Sequence, residues 1–196
     1  MSININELSE GGRGIKLLSQ LADELSYTHT ATRQNCLVIR KTYEENLSPQ
    51  PAMKKGKALE RLLEFFYRWN WLNESDREKN SEPPIKRIRL RVKSELSALT
   101  EVLNWYERLK HLPIPKSEWW KCQLALAEGF TNAVRHAHRG MPLETPIELE
   151  IMVFKGLLEI RIWDSGQPFD FDAKLREIRA IDQLTYLDYE GIDGES

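Results

Sequence analysis

Residues 123–138, Gln-Leu-Ala-Leu-Ala-Glu-Gly-Phe-Thr-Asn-Ala-Val-Arg-His-Ala-His, constrain this chain more than any other stretch. Leu126, Phe130, Ala133 and Ala137 recur at spacings of four, three and four, which predicts one apolar stripe along an α-helix. Glu128, Asn132 and His136 follow at i, i+4 and i+8 and line up on roughly the opposite side. Asparagine is a poor helix former because its side chain competes for backbone hydrogen bonds. Its place between a glutamate and a histidine asks for a reason. A solvated helix face is one, and Arg135 and Arg139 lie close enough to support it. A binding or catalytic face is the other, and the rest of the chain must decide.

The 196 residues are 41% hydrophobic and 30% charged, enough for one good core or one core plus a small appendage. A formal net charge of -2 and the lack of a long basic run give nucleic-acid binding no electrostatic support. The densest basic stretch, Lys86, Arg87, Arg89, Arg91 and Lys93, alternates with Ile85, Ile88, Leu90 and Val92 and reads as the exposed side of a strand. Cys36 and Cys122 lie far apart in apolar patterns, as buried reduced thiols without metal spacing. No leader-like segment or membrane-spanning apolar run is visible, so the expectation is a cytoplasmic protein with no membrane partner.

Glu10-Gly-Gly-Arg-Gly-Ile15 opens a helical pattern through Leu17, Leu18, Leu21 and Leu25, a glycine cluster where free N–H groups can meet a ligand. Two strands are expected at 26–31 and 35–41, with the turn near Thr30 to Gln34. Residues 44–56 and 73–84 read as linkers around an aromatic-rich helix at 57–72, which must pack on the domain, a second copy or a partner. A strand at 85–92 follows. Ser94 is expected to cap a helix through Leu109, and Ser117 the central helix. Ile147 to Val153 alternates as a half-buried strand, and Lys155-Gly156 turns it into a second at 157–163. Asp164-Ser-Gly-Gln-Pro-Phe169 closes that hairpin, with a short helix around 171–180.

Helices and antiparallel strands in this order predict an α+β fold, a two-layer α/β sandwich with a mixed, mostly antiparallel sheet. Three motifs fall at functional positions of such a layer: the Glu128/Asn132 face, Asp164-x-Gly166 at a strand end, and Gly11-Gly12-Arg13-Gly14 at a helix start. With these residues the chain resembles the anti-sigma regulatory factors and serine-protein kinases within the gyrase–Hsp90–histidine kinase ATP-binding superfamily. The first motif looks like that family's N box, the second like its first glycine box, the third like its second. The resemblance spans about 85–172 and 10–42.

The resemblance implies ATP and Mg²⁺ as cofactors. Asn132 would give the metal one carbonyl oxygen, with phosphates and water supplying the rest. Glu128 would act as general base in phosphoryl transfer. Asp164 would accept from the adenine amine, Gly166 would let the base lie close, and Gly11, Gly12 and Gly14 would offer N–H groups to phosphates, with Arg13 adding a charged contact.

The order of the boxes departs from the family: the second glycine box and closing strands come first. This looks like a circular permutation cut inside the ATP lid. Residues 1–43 would be the C-terminal part of the fold, 44–84 the join, and 85–196 the N-terminal part with some of the lid. Completion of a neighbouring copy by domain swapping is the alternative. The leading functional expectation is an ATP-dependent serine/threonine-protein kinase acting as an anti-sigma regulatory factor in partner switching. Its partners would be a sigma factor and an anti-sigma-factor antagonist, with a homodimer possible. The alternative is a catalytically weak ATP-binding module that sequesters a partner without phosphorylating it. A scaffold built around 57–72 is a third reading, which leaves the three boxes unexplained.

Overall fold

The computed structural model describes residues 10–44 apart from Thr32, and 83–180 apart from Arg179. The helix expected at 57–72, most of its two linkers, and the ends at 1–9 and 181–196 lie outside the described residues.

Five strands form one sheet: β1 (Glu24–His29), β2 (Asn35–Thr42), β3 (Lys86–Lys93), β4 (Pro146–Phe154) and β5 (Leu157–Asp164). Their spatial order is β1-β2-β5-β4-β3. Every pairing among the described strands is antiparallel, so the sheet has no mixed part there. The helices are α1 (Glu10–Leu21), α2 (Leu99–Tyr106) and α3 (Lys116–Asn132), with α4 over 171–178. The fold is the α+β sandwich expected from the alternating elements.

Strand periodicity sets the two faces of the sheet. Ile39, Ile160, Ile151 and Ile88 stand in one row across four strands, and Leu37, Ile162, Leu149 and Leu90 in the next. These rows meet Leu126 and Phe130 of α3, both fully buried. Each such leucine, isoleucine or phenylalanine contributes about 1.5–3 kcal/mol by leaving water. Gly129 lets α3 settle onto the sheet, since a Cβ there would lie 2.5 Å from Ile162 Cδ1. Gly156, at φ 71°, makes the tight β4–β5 turn that a side chain would strain.

The opposite face is more buried than the alternation at 147–153 suggests. Glu150 is 1% exposed and Met152 6%. Arg87 and Arg89 each donate to the Glu150 carboxylate at 2.5 Å. Long arginine stems cover apolar surface while their heads reach solvent, which turns an expected polar row into a covered one. Arg40 likewise bridges Glu24 at 2.6 Å and Glu159 at 2.5 Å.

Two expected caps are corrected. Ser94 does not cap the helix after β3: Glu95 occupies the cap, and the chain enters α2 through a 3₁₀ turn at Leu96–Ala98. The buried Ser94 hydroxyl is engaged with His138 instead. α3 begins at Lys116, one residue before Ser117, because the Pro115 carbonyl accepts the first helical bond from Trp119 N at 2.9 Å. Strand β1 starts two residues earlier than expected, and the turn at Thr30–Gln34 closes with Thr30 N donating to Gln34 O at 2.8 Å. Cys36 and Cys122 are free and buried, and burial pushes their thiols up to about 11 and about 12, so neither is a ready nucleophile. No described helix is long and apolar enough to cross a membrane.

Candidate nucleotide-binding site

The pattern of α3 sends Glu128 and Asn132 to one side, one turn apart, each partly buried. The element facing them is α1. A Cβ on Gly14 would lie 2.5 Å from Glu128 Oε1 and 2.5 Å from Asn132 Oδ1. The two polar side chains therefore end over a backbone stripped of its side chain. Gly11, Gly12, Arg13 and Gly14 are wound into the first turns of α1. Gly11 and Gly12 fall among the first four residues, whose N–H groups have no intrahelical acceptor. Gly14 lies beyond them, and what it supplies is room. Arg13 points to solvent.

The second cluster sits where β5 ends. Asp164 is 6% exposed. Its Oδ1 accepts from Gly166 N at 2.9 Å and from Asn35 Nδ2 at 2.8 Å. Asn35 Nδ2 also reaches Gly166 O at 2.9 Å, and Asn35 Oδ1 lies 2.9 Å from His29 Nδ1. Among the described residues no hydrogen bond goes to Asp164 Oδ2, which leaves that oxygen for a ligand donor. A Cβ on Gly166 would collide with the Ala137 carbonyl, so only glycine lets this turn lie against the end of the central helix. Tyr27 packs beside the turn, its ring centroid 4.9 Å from Phe169 and 5.5 Å from Phe171. Burial raises its hydroxyl pKa, and the Asp164 charge adds to the effect.

The central helix ends in a π turn at Ala133–Ala137, with His138 N donating to Ala133 O at 2.9 Å. The wider turn shifts the helical phase, leaving His136 exposed and His138 buried. A strict 3.6-residue period does not foresee that. The sequence pattern alone also passes over Asn35, although a short polar residue opening a buried strand is a signal that could have found it.

Residues 92–183 match the family model described as the histidine kinase-like ATPase domain. The serine-protein kinase RsbW of Listeria monocytogenes serovar 1/2a is 33% identical over 60 residues, 31% of this chain and 38% of that protein. The RsbW proteins of Bacillus pumilus and Bacillus subtilis are 33% and 32% identical over 69 residues, 32% of this chain in both cases and 43% and 42% of those proteins. The chain thus covers less than half the length of each of these curated relatives. No solved structure matches it. Glu128, Asn132, Asp164 and Gly166 all fall inside the span that is similar to the histidine kinase-like ATPase domain.

Proposed function

We propose that this chain binds ATP between α1, α3 and the Asp164–Gly166 turn and transfers the terminal phosphoryl group to a serine or threonine of a protein antagonist. On this reading it is a cytoplasmic anti-sigma regulatory factor that exchanges partners between a sigma factor and that antagonist, alone or as a homodimer. The observation that carries the proposal is the convergence of Glu128 and Asn132 on Gly14, which creates a polar cradle that a Cβ would fill. The names of the RsbW relatives support the serine-protein kinase class.

Asn132 would hold Mg²⁺ through its carbonyl oxygen. Among the described residues no three histidines, cysteines, aspartates or glutamates converge, so phosphate oxygens would complete the set. When bound, the ion neutralises phosphate charge and orients the phosphates. Glu128 would accept the proton of the acceptor hydroxyl. Asp164 Oδ2 would accept from the adenine amine and favour adenine over guanine. Gly166 leaves space for the base, and Gly11 and Gly12 present N–H groups at a positive helix end.

Residues 1–43 and 85–196 are, on this reading, two parts of one ATP-binding fold in circularly permuted order, with 44–84 as the join. Support comes from β2 pairing with β5 along its whole length, Asn35 opposite Asp164 through Thr42 opposite Leu157.

Calorimetric titration of the full chain with ATP and with GTP in Mg²⁺ tests the binding step. Tighter binding of ATP is expected, and no binding of either would overturn the proposal. Phosphoryl transfer to a serine-bearing antagonist protein tests the enzyme. A second reading, nucleotide binding without transfer, draws on the closeness of Gly14 to Glu128, which narrows the room for an acceptor hydroxyl. ATP binding with no transfer to any antagonist would favour it.

A further inference from the structure

His138 belongs to none of the three motifs, yet it is 3% exposed and both ring nitrogens are engaged. Nδ1 lies 3.0 Å from Ser94 Oγ. Nε2 accepts from the backbone N–H of Ser165 at 2.8 Å. A nitrogen that accepts carries no proton, so the bonding pattern assigns the neutral ring with its proton on Nδ1, donated to Ser94. Ser165 is the middle residue of the Asp164–Ser165–Gly166 turn. Asn35 holds the two ends of that turn, at Asp164 Oδ1 and Gly166 O, and His138 holds its centre.

We propose that neutral His138 is a positioning residue that fixes the Asp164–Ser165–Gly166 turn for the adenine base and releases it when protonated. The inference rests on the nucleotide-site reading above. Protonation places a hydrogen on Nε2 opposite the Ser165 N–H, two donors face to face. The turn must then open or the proton must leave.

Burial, rather than the charges around the ring, sets the direction. Lys93 and Glu95 flank Ser94, Arg139 and Glu144 follow His138, and Arg135 and His136 precede it. Lys93 pairs with Glu144 at 2.8 Å, and Arg135, His136 and Arg139 are exposed. Asp164 acts on the ring and favours its charged form, but burial has the larger effect and holds His138 below its ordinary value of 6.5. With the turn open, the ring regains that ordinary value. The closed turn is therefore intact above about pH 7, and opening is favoured as pH falls below about 6.5.

The test uses the full chain with H138Q and H138F. Glutamine can accept from Ser165 and donate to Ser94 without titrating, whereas phenylalanine fills the space and can do neither. ATP affinity is measured by calorimetry from pH 5.5 to 8, and the Ser165 amide is followed by NMR in the nucleotide-free protein. Wild-type affinity should fall about tenfold across that range, the scale of one lost buried hydrogen bond. H138F should bind about tenfold more weakly at pH 8. H138Q should rescue most of that loss and flatten the acid slope. The Ser165 amide should shift with the His138 ring in the wild type. A wild-type acid slope in H138Q, or a Ser165 amide that ignores the His138 titration, would overturn the proposal. A wild type that binds no ATP defeats the nucleotide reading, while the Ser165 amide still decides the His138 link. If H138F does not fold, the H138Q slope decides alone.

Discussion

Asn35 Nδ2 donates to Asp164 Oδ1 at 2.8 Å, joining the first residue of β2 to the last of β5 across 129 positions. Asn35 is fully buried. Its amide occupies one oxygen of the carboxylate and fixes the direction of the other. N35A should remove this brace, leave Gly166 O unpaired and destabilise the fold by about 1–3 kcal/mol. Thermal melting checks it, and unchanged stability would mean that water replaces the amide at no cost.

D164N should cost ATP binding more than it costs the fold. The substitution replaces an ionised acceptor with an amide at a buried position, a loss on the order of 1.5–3 kcal/mol for a charged hydrogen bond. Calorimetry with ATP reads the effect. Affinity equal to the wild type would remove Asp164 from the base-binding site.

On the kinase reading proposed above, E128Q keeps the shape of the side chain and removes the proposed general base. ATP affinity should stay within a few-fold, while transfer to the antagonist falls by roughly 10²–10⁴. Single-turnover transfer at the wild-type rate would reduce Glu128 to a helix-surface residue.

G14A and G166A should fail differently. The Cβ of G14A meets the ends of two flexible side chains, Glu128 and Asn132, which can swing aside. Alanine also suits a helix better than glycine by roughly 1 kcal/mol. Melting temperature should hold or rise while nucleotide binding and transfer fall. The Cβ of G166A meets the Ala137 backbone, which cannot swing, so melting temperature should drop. A stable, inactive G14A beside an unstable G166A is the expected pair.

Acid should weaken the covered face of the sheet. Burial alone would raise the Glu150 carboxyl, but hydrogen bonds from Arg87 and Arg89 outweigh it and hold the group below its ordinary 4.5. A depressed carboxylate stabilises the fold above its unfolded value, and that contribution is lost as pH falls through the folded one. Melting temperature should therefore decline below about pH 4.5, and E150Q should decline less steeply.

The sandwich was legible in the sequence because its periods are clean. Alternation at 147–153 and 157–163 and the stripe at Leu126, Phe130 and Ala133 match elements that bury those residues. Glu128, Asn132, Asp164 and Gly166 stand out because each breaks the local pattern of its element. Ser94 and His138 do not, because their partners lie on other elements and no spacing along the chain encodes a contact of that kind. The π turn at Ala133–Ala137 hides His138 further, and the arginine cover over Glu150 hides the burial of the second sheet face.

The long reach of the β2–β5 ladder has a consequence for synthesis on the ribosome. The β1–β2 hairpin emerges well before the strand it must join, which is made more than a hundred residues later. At ordinary elongation speeds the wait is on the order of ten seconds. During that interval β2 offers an unpaired apolar edge containing Leu37 and Ile39. Pairing over such a distance is slow to nucleate. Nascent chains of this protein should therefore engage chaperones early and let go only after β5 has cleared the exit tunnel.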